Sequence, residues 1–182
     1  MILTPKILAR VVALVILAVL LQVTFFSRVA LFHVSPDVLP AVIASLGLLG
    51  GSMSGAVAGF SAGLLLDCLL IAPLGGSSLV LMATGYLAGT FRERFEITSR
   101  FLPPLLIAAF TLFAELGFGA VELMLGVDST VSALIVKDML VKSVFAFFLG
   151  WPIYLGVKRL LRPAIVEEPE RRRRRRPTVL GA

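Results

Sequence analysis

Residues 47–67 read GLLGGSMSGAVAGFSAGLLLD. Gly47, Gly51, Gly55, Gly59 and Gly63 recur every fourth position, and the next step of four falls on a carboxylate, Asp67. Residues four apart on a helix share a face, so Gly55, Gly59 and Gly63, with Ala58 and Ala62 beside them, form a smooth groove that leads to an acid. Where no water surrounds the helices, small residues at this spacing let two backbones approach closely. The groove therefore has two readings: packing within the chain, and a docking face for another membrane protein. The glycine spacing alone does not choose between them.

The composition places the groove in a membrane. Hydrophobic residues make up 58% of the 182, and mean hydropathy is +1.00. Only 15% of the chain is charged, against about 25% in soluble domains, too little to cover a water-facing surface. The length fits one domain. A lone Cys68 and a lone His33 exclude an internal disulfide framework, a CxxC metal site and a His-rich metal centre. The sequence contains no Ser/His/Asp set, no phosphate-binding loop and no HExxH motif. No catalytic residue, metal or cofactor is expected.

A hydrocarbon core of about 30 Å takes roughly 20 apolar residues per helix. The sequence supplies six candidate spans, at 7–27, 37–51, 53–71, 74–91, 101–125 and 131–157. The first begins like a secretory signal, but its apolar stretch is too long and no small-x-small cleavage site follows, so it reads as a retained helix. Basic residues mark the cytoplasmic side. Lys6 and Arg10 precede the first span, Arg92, Arg94 and Arg100 lie between the fourth and fifth, and Lys158, Arg159, Arg162 and Arg171–Arg176 follow the sixth. With six spans, fourteen of the seventeen basic residues fall on one side. The expected fold is all-α: a polytopic membrane protein of six transmembrane helices with both termini cytoplasmic.

The second span is the short one. Fifteen residues cover only ~22 Å, while a continuous helix over 37–71 would be ~52 Å long, so the chain must turn near Gly50-Gly51-Ser52. Two thin spans and a re-entrant hairpin both satisfy this requirement, and six spans is the reading adopted.

Charged residues inside spans are costly enough to mark function by default. Asp67 precedes the helix breaker Pro73-Leu74-Gly75-Gly76 and has two compatible readings, a functional acid and a cap for that turn. The fifth and sixth spans form an antiparallel hairpin through a loop at 126–130. Counting back from it, Glu115 and Lys142 both lie ~16 Å deep. Asp138 is four residues before Lys142 and shares its face. A buried ion cluster of Glu115, Asp138 and Lys142 is therefore expected, its simplest role being to let these charges exist within the bilayer. A solute pocket, a proton path and a polar seam for a partner are the other readings.

Residues 1–162 form the transmembrane domain, and 163–182, rich in proline and charge, read as a disordered cytoplasmic tail. Its six arginines, Arg171, Arg172, Arg173, Arg174, Arg175 and Arg176, sit close to a bilayer and suit anionic lipid. Nucleic acid is not an expected partner. The cytoplasmic loop FRERFEITSR at 91–100 reads as a solvated topology anchor.

One ordered set of motifs resembles a known family. Leu21-Gln22, Ser35-Pro36-Asp37, Gly55-x3-Gly59-Phe60-x2-Gly63-x3-Asp67 and Pro73-Leu74-Gly75 look like the rod shape-determining membrane protein family MreD. In that family Pro-Asp opens the second span, and the glycine-rich helix, its Asp and the Pro-Leu-Gly turn form the most recognisable block. Those roles fall here on Pro36, Asp37, Gly59, Gly63, Asp67, Pro73, Leu74 and Gly75. The turn between spans two and three, Leu49-Gly50-Gly51, lacks the basic residues that family members often carry there, and the arginine-rich tail is an addition. The resemblance implies a non-enzymatic scaffold of the cell-wall elongation machinery in the bacterial inner membrane. Its partners would be MreC and also MreB, RodA and a class B penicillin-binding protein. It also implies a bundle similar to the substrate-binding subunits of energy-coupling-factor vitamin transporters. Such a subunit is the alternative function, with Ala9-x3-Ala13 as its faint docking pattern.

Overall fold

Helix boundaries follow the Gly and Pro punctuation of the apolar runs. The computed structural model describes residues 5–26, 37–70, 75–95, 102–124 and 133–174, with side chains over 9–24, 37–70, 75–95, 102–121, 123–124 and 141–161. Among the described residues the chain is all-helical. Helix α1 (Pro5–Leu21) continues as a π-helical turn over Gln22–Phe26, followed by α2 (Leu39–Gly50), α3 (Ser52–Leu70), α4 (Gly76–Arg94), α5 (Leu102–Met124) and α6 (Ala133–Arg174). Pro40 lies in the first turn of α2 and Pro103-Pro104 in that of α5, where a missing N–H costs nothing.

The six helices follow the order of the six expected spans, but their lengths differ. Three segments, Ser52–Leu70, Leu102–Val121 and Val141–Leu161, are long and apolar enough to cross a bilayer. The apolar segment of α1 and the whole of α2 are shorter, and α4 is diluted by Gly, Ser and Thr and ends in Arg92, Glu93 and Arg94. Helix α6 is 42 residues long, ~63 Å at 1.5 Å per residue. It runs on past position 157, and residues 163–174, which the sequence assigns to the tail, are described as its continuation. Arg and Glu, which dominate this stretch, are good helix formers. Arg175 and Arg176 lie outside the described residues.

Helix α2 is the axis of the bundle. Every residue from Leu39 to Leu49 is buried, and the helix packs on α3, α4, α5 and α6. At 12 residues it is only ~18 Å long, so its two ends lie at different depths of the assembly. At Gly51 the chain reverses with φ 89°, a left-handed value that glycine adopts without strain. Helix α3 then runs back antiparallel to α2, and α4 returns antiparallel to α3. The outer face of α3 carries Met53, Val57, Phe60 and Leu64, all exposed. That face suits lipid, while the opposite face, with Gly55, Ala58, Gly59, Ala62 and Gly63, is buried.

Candidate functional site: a glycine seam and a buried charge cluster

The buried face of α3 meets α4 backbone to backbone. A Cβ placed on Gly55 would strike the carbonyl of Gly85, and one on Gly59 the carbonyl of Leu81. At Gly63 the obstacle would be the backbone of Ser78. The partner face has small residues too: Gly85 faces the Gly55 carbonyl, and Gly89 faces the backbone of Gly51 and Ser52. Gly47 of α2 closes the seam against Gly85, Ala88 and Gly89. Of the two readings of Gly55, Gly59 and Gly63, packing within the chain is the one these contacts display. The stripe is occupied by α4 of the same chain, because α4 carries a second small-residue row, Gly85-x3-Gly89, which mates with it. Two buried hydroxyls are satisfied within their own helices, Ser45 donating to the Ala41 carbonyl and Thr84 to that of Val80, each at 2.8 Å.

Each end of the seam is fastened by a polar contact. At one end Asp67, 1% exposed, accepts a hydrogen bond from the Gly75 N–H at 2.8 Å and a weaker one from the Ser78 hydroxyl at 3.5 Å, both on Oδ2. Gly75 stands at φ 108° just before α4, so the acid braces a turn that requires glycine and faces the positive end of the α4 dipole. Its Oδ1 has no partner among the described residues. Pro36, Pro73 and Leu74, further motif residues, lie outside the described residues.

At the opposite end α4 clasps the α2–α3 turn with two neighbouring side chains. Arg92 donates to the carbonyls of Leu48, at 2.7 Å, and Leu49, the unsatisfied C-terminal acceptors of α2. Glu93 accepts from the Ser52 N–H at 2.8 Å and from its hydroxyl at 2.9 Å, at the start of α3. A cation thus caps a helix C-terminus and an anion a helix N-terminus, each the sign the dipole favours. The bonds from Ser52, the backbone N–H first and the hydroxyl second, hold the exposed Glu93 carboxyl below its ordinary value. The sequence reading of 91–100 as a solvated anchor misses this clasp. Its signal is the uncharged turn at Leu49-Gly50-Gly51, which leaves helix ends for another segment to cap.

The second polar centre lies at the other end of α2. Lys142 of α6 forms an ion pair with Glu115 of α5, Nζ to Oε2, at 2.8 Å. Glu115 is 4% exposed, and its Oε1 and the hydroxyl of Thr111 one turn earlier have no partner among the described residues. Asp37, just before α2, lines a narrow cleft with Val38, Ala41, Lys142, Phe145 and Leu149. Gln22, at the end of α1, accepts the Val38 N–H through Oε1 at 3.0 Å. The side chain of Asp138, expected in this cluster, lies outside the described residues. Asp37 has only a motif role in the sequence; nothing local signals that it lines one cleft with Lys142.

Residues 5–162 match the family described as rod shape-determining protein MreD. The chain belongs to the MreD family. No curated protein and no solved structure matches it. Members of the MreD family are rod shape-determining membrane proteins with a structural rather than an enzymatic role, and the long apolar helices accord with residence in a membrane. The recognisable MreD block thus falls on the α3–α4 seam, with Asp67 and Gly75 at its end. Asp37 places the Pro-Asp motif at the charge cluster.

Proposed function

We propose that this chain is a non-enzymatic scaffold of the bacterial cell-wall elongation machinery, seated in the inner membrane and acting with MreC. MreB, RodA and a class B penicillin-binding protein are the wider set of partners. The observation that carries this reading is the family match across residues 5–162. The closed α3–α4 seam supports it physically: a bundle whose small residues are spent on internal packing is a rigid body, suited to holding partners in fixed positions. Partner docking then falls on the lipid-facing surfaces rather than on the glycine stripe.

Topology is part of the proposal. Six crossings with both termini in the cytoplasm put the Arg92–Glu93 clasp on the cytoplasmic side and Asp67 towards the outside. The arginines 171–176 lie on the cytoplasmic side of α6, where each basic residue near an anionic surface contributes ~1 kcal/mol. Reporter fusions at each terminus and at the 126–130 loop test this arrangement. Cytoplasmic signals at the termini and a periplasmic one at the loop are expected.

The functional test is purification of the tagged chain from native membranes in mild detergent, with mass spectrometry of what accompanies it. Recovery of MreC-like and wall-synthesis proteins is expected. Recovery of an ATPase pair and a transmembrane coupling subunit would instead make the chain a vitamin-transporter subunit.

A further inference from the structure

We propose that Lys158, Tyr154 and Arg92 form a binding site for the headgroup of an anionic phospholipid, separate from the arginines 171–176. One face of α6 carries most of it. Phe147, Trp151, Tyr154 and Lys158 follow one another at steps of four, three and four, so they share a side of the helix over ~16 Å. Phe147 is exposed, Tyr154 is half-buried and Lys158 is exposed. The face therefore runs from an apolar ring through two amphipathic rings to a cation. A phospholipid has the same order of polarity from acyl chain to headgroup, and Trp and Tyr collect at the depth where the two meet. The site rests on the cytoplasmic placement proposed above for this end of the bundle, the side on which anionic lipid lines the membrane.

Contacts from two helices assemble the headgroup end. The Lys158 ammonium lies 5.9 Å from the centroid of the Tyr154 ring, within cation–π range, and no carboxylate pairs with it among the described residues. Tyr154 packs against the apolar cluster that includes Leu48 and Ala88. Arg92, one turn beyond Ala88 on α4, donates to the Leu48 carbonyl, so both side chains stand at the C-terminal end of α2. The bonds to Leu48 and Leu49 use Nη1 alone, which leaves three of the five N–H donors of a guanidinium. The Tyr154 hydroxyl has no hydrogen-bond partner among the described residues. Glu93, the acid beside Arg92, is taken up by Ser52. Two cations and a free phenol, with an aromatic face behind them, fit a phosphate ester on an acyl chain. A soluble anion would leave the aromatic face uncovered. Because Arg92 also clasps the α2–α3 turn, a lipid held here ties the anionic leaflet to the central helix.

The test uses Trp151, the single tryptophan of the chain, which lies one turn from Tyr154. The full chain is reconstituted in phosphatidylcholine vesicles that contain equal mole fractions of either brominated phosphatidylglycerol or brominated phosphatidylcholine. Quenching of Trp151 by bromine is then compared. Brominated lipid is present in both leaflets, so the result does not depend on which way this end faces, and the reporter fusions test that topology separately. Stronger quenching by the anionic lipid is expected. It should survive Arg171→Gln through Arg176→Gln, positions that begin ~30 Å along α6 from Trp151. Lys158→Met should weaken the preference about fivefold, the ratio that corresponds to ~1 kcal/mol for one basic residue at an anionic surface. Equal quenching by the two lipids in the parent overturns the proposal and leaves Tyr154 and Lys158 as an interfacial anchor only. So does a preference unchanged in Lys158→Met with Tyr154→Phe. A preference lost with the tail arginines also overturns it and places the lipid on the tail. Displacement by inorganic phosphate at constant ionic strength would overturn it in favour of a soluble anion.

Discussion

Helices α3 and α4 meet through their backbones, whereas α5 and α6 meet through their side chains. In the first pair every glycine of the stripe faces a carbonyl or a backbone nitrogen, so nothing at the contact can rotate aside. In the second pair a Cβ on Gly150 would meet only the Ile107 side chain, at 3.1 Å. Polar links between α5 and α6 include the Lys142–Glu115 pair and a hydrogen bond from Ser143 to the Ala108 carbonyl at 3.0 Å. The first interface has little room to repack because its closest contacts are backbone on backbone. The second can adjust, but it contains a buried charge whose balance must be kept. A membrane protein needs close packing where hydrophobic force is absent.

The contrast gives four predictions. The largest effect is expected from Gly85→Leu, whose side chain must enter the Gly55 carbonyl. Overpacking of a close-packed interface costs about 1–3 kcal/mol and occasionally more, and backbone on the far side places this case at or above the top of that range. Recovery of monodisperse protein from detergent should collapse, whereas Gly156→Leu, which has open space around it, should behave as the parent.

Next is Lys142→Met, which strands Glu115 without its cation. Breaking a buried pair from one side costs ~3–5 kcal/mol, and adding Glu115→Gln should restore much of the loss. Denaturation of the single and double variants checks this, and equal stability of Lys142→Met and the parent would show that the pair is not buried in effect.

A smaller loss is expected for Gly75→Ala. The φ of 108° is strained for any L side chain, at ~1–3 kcal/mol, yet the position has free space. The effect should therefore appear in unfolding temperature and not in expression.

The smallest effect concerns the clasp. Glu93 has a folded-state value below its ordinary 4.5, so its bonds to Ser52 stabilise the fold above that value and are lost as pH falls through the lower, folded one. Glu93→Gln should flatten this acid limb of the stability profile, and an unchanged limb would assign it to other groups.

Much of this division can be read from residue types and spacing. The four-residue glycine period identifies the stripe, and the break at Gly50-Gly51-Ser52 places the turn between α2 and α3. Counting from the loop at 126–130 puts Glu115 and Lys142 at one depth, and their side chains meet at 2.8 Å. Other features depend on contacts that no local pattern encodes. Packing of the stripe within the chain is one of the two readings its spacing allows, but which helix covers it is not legible, because Gly85 and Gly89 make only a two-residue pattern. Arg92 and Glu93 look like ordinary loop charges until the chain brings them to helix ends 41 to 44 residues away. The meeting of Asp37 with Lys142 in one cleft joins residues far apart in sequence and leaves no local mark.

The central claim is that the glycine stripe holds this protein together rather than holding a partner to it. The direct test is the unfolding temperature of the isolated, purified chain with Gly59→Leu, measured without any other protein. A marked drop relative to the parent is predicted, because the new side chain must displace the Leu81 backbone. An unchanged unfolding temperature, with loss of co-purifying proteins from native membranes, would contradict the account and make the stripe a docking face.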